Sequence, residues 1–567
     1  MSIPYRREPV PIDMPAEPAV RLIPLGGLGE IGLNMMLIES GDDIVAVDCG
    51  LLFPDDEMPG VDYVIPDFSY LHEHREAFRA VVLTHGHEDH VGALSYLLRD
   101  FDVPVYGTPL TLAIARHRLA EHGLLDQADL RPYRPGDEIT IGCFQIEPIR
   151  VTHSIADGIG LAIQTPVGTV VHTGDFKLDP HPVDREQPDY ARFTALGERG
   201  VLCLCSDSTN VGRPGRTGSE TEVGAALRGR FDTATGRIIV ATFASHIHRI
   251  QQVMDLTAAC SRKLGLLGRS MAANVAVAAE LGYLHVPEGV LLPLEELADL
   301  PADHQVILST GSQGEQNSAL SLMAAGEHKH FTVGDGDLVI FSSRVIPGNE
   351  RVIGRLINAL LRRGAEVLWE DVAFVHVSGH ASQEDLKHML ALTRPRYFLP
   401  VHGEYRHLLQ HAQLATEAGV PAERVFLMED GVGLELTKSG ARVLGPYPAG
   451  RVFVDGKGIG DVGSVVLRDR QLLAEAGMVV VALTIDKATG SIVAGPEIAS
   501  RGFVYMKESE ELMDEVKEAV REAMAYREDP EVLDRELFGA RVRSAVRRFI
   551  NQRFQRKPIV IPVILEI

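Results

Sequence analysis

The rhythm of apolar and polar positions changes along this chain. From Arg21 to about Asp207, short apolar runs are broken by tight turns. This pattern predicts strands such as Met35–Glu39, Ile44–Val47, Ala80–Thr84, Phe144–Thr152 and Thr169–Thr173. Between about Arg237 and Trp369, strand-like and helix-like segments alternate. Ile238–Phe243 precedes Ile250–Cys260, Gln305–Leu308 precedes Ser318–Ala325, and Leu338–Phe341 precedes Arg351–Arg363. That order predicts a small parallel-sheet domain. Two further strands, Ala373–Val377 and Arg396–Val401, each lead into a helical pattern. Pro446 to about Gly460 is rich in Gly and Pro and reads as a linker. Helical patterns near Glu511–Tyr526 and Asp529–Arg556 predict a small α/β domain at the end. Pro4, Pro9, Pro11, Pro15 and Pro18 mark an extended N-terminal arm.

The length of 567 residues exceeds what one core supports, so several domains are expected. No run of about 18 apolar residues predicts a membrane span, and no apolar segment near the start reads as a signal peptide. The cytoplasm is the expected compartment, with no membrane partner. Cys49, Cys143, Cys203, Cys205 and Cys260 are odd in number and lack C-x-x-C spacing, so no disulfide framework is expected. Cys203 and Cys205 alternate in Val201–Cys205 as one face of a buried strand. The net charge of −23 argues against nucleic acid, because Lys and Arg drive phosphate binding. A groove can still be basic on an acidic protein, and a bound metal brings its own positive charge.

The densest chemistry is Thr84-His85-Gly86-His87-Glu88-Asp89-His90. It follows an apolar strand and precedes a segment of helical spacing, a loop where side chains can converge on a metal. His153, Asp175 and His402 each end a predicted strand next to a turn. One such residue alone would be read as a turn or core residue, but all three match the cluster in context. His85, His87 and His153 give one ion three imidazoles. Asp89, His90 and His402 give a second ion a mixed set, and Asp175 can bridge the two. Two ions roughly 3.5–4 Å apart clamp attacking and leaving oxygens. The thiolate-free set suits zinc, with manganese or magnesium as alternatives. Asp48, before Gly50, is either a support for a ligating His or a turn residue. Gly27-Leu28-Gly29-Glu30-Ile31-Gly32 matches a dinucleotide fingerprint, but a strand follows it instead of the required helix, so that reading is rejected.

The H-x-H-x-D-H cluster with His153, Asp175 and His402 resembles the ligand set of the metallo-β-lactamase superfamily, whose fold is an αββα sandwich. The long stretch between Asp175 and His402 resembles the inserted α/β domain of the β-CASP nucleases. So do Asp207 in Cys205-Ser206-Asp207-Ser208-Thr209-Asn210 and His380 in Ser378-Gly379-His380-Ala381-Ser382. Within that group the chain is similar to the ribonuclease J family from about Arg21 onward. The segments that carry this are Gly29-Glu30-Ile31-Gly32-Leu33-Asn34-Met35, Ser309-Thr310-Gly311-Ser312-Gln313-Gly314-Glu315, Pro400-Val401-His402-Gly403-Glu404 and Ser500-Arg501-Gly502-Phe503-Val504-Tyr505. His246 departs from the pattern, standing where an Asn is expected. The expected architecture is an arm (1–20), a sandwich in two parts (21–222 and 372–446), a β-CASP domain (223–371), a linker (447–465) and a C-terminal α/β domain (466–567).

The resemblance implies hydrolysis of RNA phosphodiesters, both from the 5′ end and internally, in RNA processing and decay. It implies single-stranded RNA as partner, a homodimer or homotetramer through the C-terminal domain, and other RNA-decay proteins as associates. It assigns catalysis to Asp89, Asp175, Asp207 and His380, and places His376, Val377, Ser378, Gly379, His380 and Ser382 along the substrate. His380 can contact the scissile phosphate or protonate the leaving oxygen. Ser382 with Asp385 also reads as a capping box. Ser312 and Gln313, on a strand-to-helix turn, can cradle a phosphate. His248 and Arg249 can meet the RNA backbone. The run Arg541–Lys557 holds seven basic residues and no acid; an RNA patch and a solvated helix face compete for it, and the solvated face is preferred. Three rival readings remain at this point: a small-molecule hydrolase of the same fold, a DNA-directed nuclease, and a non-catalytic scaffold.

Overall fold

The computed structural model describes residues 3–12, 17–315, 317–346, 348–487, 489, 491–503, 510–525 and 535–567. Pro15, Val504, Tyr505, Tyr526 and positions 529–534, all part of the expectations above, lie outside the described residues. The chain forms two compact units: Met1–Leu52 with Ile65–Val452, and Phe53–Val64 with Phe453–Ile567.

In the first unit, one sheet runs in the order Ala441–Leu444, Gly433–Thr437, Ala19–Gly26, Met35–Ser40, Asp43–Val47, Phe78–Val82, Val105–Gly107, Leu130–Pro132. A second runs Tyr397–Val401, Val201–Asp207, Thr169–His172, Ile159–Gln164, Phe144–Arg150, Ile139–Ile141. The two sheets share a core. Val20, Leu22, Met36, Ile38 and Val45 come from the first, and Ile146, Leu161, Val171, Cys203 and Leu399 from the second. Every residue of Val201–Asp207 is buried. Helices Gln383–Thr393 and Tyr405–Glu417 pack against this part of the sheet, so the strand reads as a continuous apolar run.

The chain leaves the second sheet of the sandwich after Asp207 and rejoins it at Tyr397. These two strands pair in parallel, with Cys203 opposite Tyr397 and Asp207 opposite Val401. Between them lies a parallel five-stranded sheet in the order Lys263–Leu267, Gln305–Ser309, Ile238–Ala241, Leu338–Phe341, Glu366–Leu368. Alternate residues face opposite ways along a strand, and both faces here are covered. Ile238, Val240, Leu308 and Ile340 pack with Leu227, Met254 and Met271, while Ile239, Ile307, Val339 and Phe341 pack with Leu320, Met323 and Leu360. This is the sandwich with an inserted α/β domain. The edge strands Lys263–Leu267 and Glu366–Leu368 were not expected from the pattern, being short and, in the first, broken by Gly265. Ala373–Val377 is not a strand. Its Val375 carbonyl accepts from the side chains of Arg249 (2.7 Å) and Ser342 (2.7 Å) instead of from a neighbouring strand.

The second unit has a sheet in the order Ile492–Arg501, Met478–Ile485, Ile559–Glu566. Val479, Val481, Leu483 and Ile485 alternate inward against Val516 and Val520 of Glu510–Ala525 and Val542, Val546 and Ile550 of Arg535–Phe554. Residues Phe53–Val64 belong here: the Asp62 N–H donates to Val454 O at 2.8 Å, and Arg470 Nη1 to Pro59 O at 3.1 Å. Within the basic run, Arg543, Arg547 and Arg548 are exposed while Val542, Val546 and Ile550 are buried, the pattern of a solvated helix face. All five cysteines are free. No described helix is long and apolar enough to cross a membrane.

Candidate metal centre

The strand Phe78–Val82 delivers Thr84 and His85, and His87 caps the short helix Glu88–Val91. The cluster therefore spans a strand end, a loop and a first helical turn, and its side chains converge. Asp48, at φ 63° just after Asp43–Val47, is buried and accepts the Thr84 N–H (2.7 Å) and hydroxyl (2.8 Å). Its other contact is His90 Nδ1 at 2.8 Å, which turns His90 Nε2 toward Asp175 Oδ2 at 3.3 Å. Asp48 thus sits at a turn and also orients His90. Asp175 follows Gly174, where an added Cβ would lie 2.6 Å from Ile159 O at φ 56°, so only glycine fits this turn. His402, at φ 51°, leaves Tyr397–Val401 and leads into Gly403–Glu404, which pairs with Leu28–Gly29.

Three groups of donor atoms result, each within 4.8 Å: His85, His87, His153 and Asp175; Asp89, His90, Asp175 and His402; and Asp175, Asp207, His380 and His402. In the first, His85 Nε2 lies 3.0 Å and His153 Nε2 3.2 Å from His87 Nδ1. Asp175 Oδ2 is 3.7 Å from His85 and 3.8 Å from His153. His153 Nδ1 sits 2.8 Å from Gly379 O, an approach open only to glycine because a Cβ there would meet the ring at 2.7 Å. In the second, His402 Nδ1 bonds Asp175 Oδ1 at 2.7 Å, and its Nε2 lies 3.5 Å from Asp89 Oδ2. In the third, Asp207 Oδ2 holds His380 Nδ1 at 2.8 Å and Asp207 Oδ1 takes the Thr209 N–H at 2.9 Å.

This donor set fits divalent ions. Burial holds His85 and His153 well below the usual imidazole range and His87 at about 4, so all three present neutral lone pairs. Three such nitrogens crowded face to face cannot satisfy one another, whereas a cation between them can. His402 Nε2 is buried with no hydrogen-bond partner among the described residues. Burial opposes charge on His90, His402 and His380, yet neighbouring carboxylates raise all three, His402 to about 10. The carboxylates therefore create a field that demands positive charge in this spot, which a metal ion supplies.

Comparison with known proteins identifies the domains of the chain. The family model for the ribonuclease J β-CASP domain matches residues 235–360, and that for the ribonuclease J C-terminal domain residues 465–567. The Zn-dependent metallo-hydrolase RNA specificity domain matches 365–427, and the metallo-β-lactamase superfamily 28–202. Ribonuclease J 1 of Streptococcus pyogenes is 43% identical over 96% of this chain and 97% of that protein. Ribonuclease J of Thermus thermophilus is 44% identical over 96% of this chain and 95% of its own length. The chain belongs to the ribonuclease J family. Ribonuclease J2 of Bacillus subtilis is 39% identical over 97% of this chain and 99% of that protein. A solved structure of a protein of unknown function from Enterococcus faecalis, 17% identical, covers 74% of this chain and 100% of its own at a TM-score of 0.51, a likeness of fold alone.

The ribonuclease J resemblance also named substrate contacts, and the structure brings only some of them to the metal groups. Gly379 O touches His153, and Ser378 Oγ accepts the His380 N–H at 3.1 Å. Ser382 is buried, and its Oγ meets Asn210 Nδ2 (3.1 Å) and Thr217 Oγ1 (2.9 Å). It makes no cap hydrogen bond, and Asp385 accepts from the Thr217 N–H at 2.8 Å, so the expected capping box does not form. Val377 packs in the core of the inserted domain. His376 is half-buried beside His246, 6.5 Å between rings. Arg249 is fully buried and spends its donors on Glu220 (2.5 Å), Gln252 (2.9 Å), Ser342 and Val375 O. His248 meets Asp184 at 3.1 Å. Ser312 is buried, and Gln313 ties down the loop after Phe341, donating to Arg344 O at 2.8 Å. Arg249, His248 and Gln313 thus serve the frame and are not brought to the metal groups. Asn210 and Thr217 were missed; Asn210 lies within the quoted Asp207 segment, but no spacing rule points to Thr217.

Proposed function

We propose that this protein is a metal-dependent ribonuclease of the cytoplasm. It hydrolyses phosphodiester bonds of single-stranded RNA, from the 5′ end and internally, in RNA processing and decay. The observation that carries this is the pair of donor groups sharing Asp175, in a chain similar to ribonuclease J over nearly its whole length. His85, His87, His153 and Asp175 would hold one ion; Asp89, His90, Asp175 and His402 a second. Zinc is favoured, with manganese or magnesium as alternatives. When bound, such ions polarise phosphoryl oxygens and lower the cost of deprotonating water. Asp175 serves both groups, and Asp48 and Gly379 O fix the orientation of His90 and His153. Asp207 holds His380 by Nδ1 and leaves the Nε2 side to deliver a proton to the leaving oxygen or to contact the phosphate. A homodimer or homotetramer through the C-terminal unit is supported by its exposed apolar residues Ile561, Val563 and Leu565. Other RNA-decay proteins are its expected associates.

The test is incubation of the protein and an Asp175→Ala variant with single-stranded RNA and DNA labelled at the 3′ end, with zinc or manganese. The RNA carries a 5′ monophosphate or triphosphate. Loss of full-length RNA with the wild type only is expected. Preference for the monophosphate would establish action from the 5′ end. If neither polymer is cut under any metal condition, the ribonuclease reading fails and esters and thioesters become the substrates to try.

A further inference from the structure

Two arginines at the edge of the metal groups have no role in the chemistry above. Arg344 follows the strand Leu338–Phe341 of the inserted domain, and its Nη1 donates to Asn210 Oδ1 at 3.1 Å. Asn210 Nδ2 donates in turn to His380 O (3.3 Å) and Ser382 Oγ (3.1 Å). The Arg213 N–H donates to Asn210 O at 3.0 Å. Arg344 thus reaches Asn210 with its side chain from the inserted domain, while Arg213 is turned onto the same residue by its backbone from the sandwich, and the two charges are near enough to act on each other.

Neither has a carboxylate at ion-pair distance among the described residues. Several other arginines of the first unit, by contrast, are ion-paired. Arg21 meets Glu39 and Glu435, Arg249 meets Glu220, and Arg192 meets Glu147. Nearby Arg406 is taken by Glu404 at 2.8 Å. Burial and the charge of Arg213 act together against the charge of Arg344, and Glu370 is the acid that acts the other way. The guanidinium keeps its proton regardless. Two like charges held together cost energy until an anion lies between them, and guanidinium geometry matches phosphate oxygens. The Arg344 loop is also held ready: Gln313 donates to Arg344 O at 2.8 Å and accepts the Ile346 N–H at 2.9 Å.

We infer that Arg213 and Arg344 form a binding subsite for a backbone phosphate next to the scissile one, holding the strand between sandwich and inserted domain. This rests on the ribonuclease reading. It gives a chain of net charge −23 a local positive site for a polyanion.

The experiment is steady-state cleavage of single-stranded RNA by the metal-loaded full-length enzyme, comparing wild type with R213Q, R344Q, R344K and the R213Q/R344Q double variant. Salt is varied from about 50 to 200 mM. Each Gln variant should raise KM roughly tenfold with kcat within about threefold, as expected for losing one charge-assisted contact. R344K should recover part of the loss. The slope of log KM against log salt should fall by about 0.7 per lost phosphate contact. Arg213 is exposed, so R213Q carries the test even if R344Q folds poorly. Wild-type KM and salt slope in R213Q would overturn the inference, leaving Arg344 as a strut for Asn210. A fall in kcat alone would overturn it too, since that reports misplacement of His380. A wild type that cuts no RNA sinks the ribonuclease reading and the inference with it, an outcome distinct from active enzyme with indifferent variants.

Discussion

Asp48 shows how one side chain sets the chemistry of another. By taking the Thr84 N–H and hydroxyl and lying against His90 Nδ1, it fixes which ring nitrogen His90 offers. Asp207 does the same for His380. A His380→Ala variant should therefore lose about 10²–10⁴ in kcat, the usual worth of a positioned proton donor. Its metal content, read by elemental analysis, should stay at the wild-type value, whereas His402→Ala should bind less. Asp157 gives a stability prediction away from the site. Burial raises its carboxyl to about 6, although Thr108, Tyr283 and the Leu110 N–H lower it. The folded protein thus prefers the neutral acid. That preference contributes fully below about pH 4 and is lost as pH rises through 6, at a cost on the order of 3 kcal/mol. Asp157→Asn, which tolerates the left-handed φ of 56°, should gain in melting temperature relative to wild type between pH 4 and 7. A constant difference across that range would refute it. The candidate donors were legible in the sequence because His85, His87, Asp89 and His90 crowd one short segment, and His153, Asp175 and His402 each stand at the end of a predicted strand beside a turn. Asn210 and Thr217 were not, because a side-chain amide or hydroxyl that bonds a distant loop leaves no periodic trace.

At the scale of elements, a buried charge network joins helices Glu220–Thr233 and Ile247–Ala259 to the segment before His380. Glu220 meets Lys177 at 3.1 Å and Arg249 at 2.5 Å, and Arg249 also holds Val375 O. Removing one member strands a buried charge. Arg249→Ala should cost about 3–5 kcal/mol in urea unfolding, with partial recovery in Arg249→Lys. An unchanged midpoint would mean that the network adds nothing to stability. The same network explains a sequence expectation that failed. Ala373–Val377 has the apolar composition of a strand, but its Val375 carbonyl is claimed by side chains. Pattern reading sees which residues want burial, not which partner takes the backbone. It succeeded for Ile238–Ala241, Gln305–Ser309 and Leu338–Phe341, where alternate residues serve two covered faces. It succeeded again for Arg535–Phe554, where Arg543, Arg547 and Arg548 lie outward and Val542 and Val546 lie inward.

At the scale of the molecule, all three donor groups lie in the first compact unit. Metal binding should stabilise that unit by mass action. Chelation should then speed amide exchange around His85–Asp89 and His402, and leave the strand Met478–Ile485 unchanged, as read by hydrogen–deuterium exchange. Faster exchange in both places would refute this. The spacing of the donors has a consequence in time. Asp175 and His402 are 227 positions apart. A ribosome adding about 5–20 residues per second takes roughly ten to forty-five seconds to get from one to the other. Throughout that interval the nascent polypeptide carries His85, His87 and His153 but lacks the last donor of the second group. A ribonuclease is assembled on the very kind of polymer it destroys, and this order of synthesis withholds its blade until most of the message has been read.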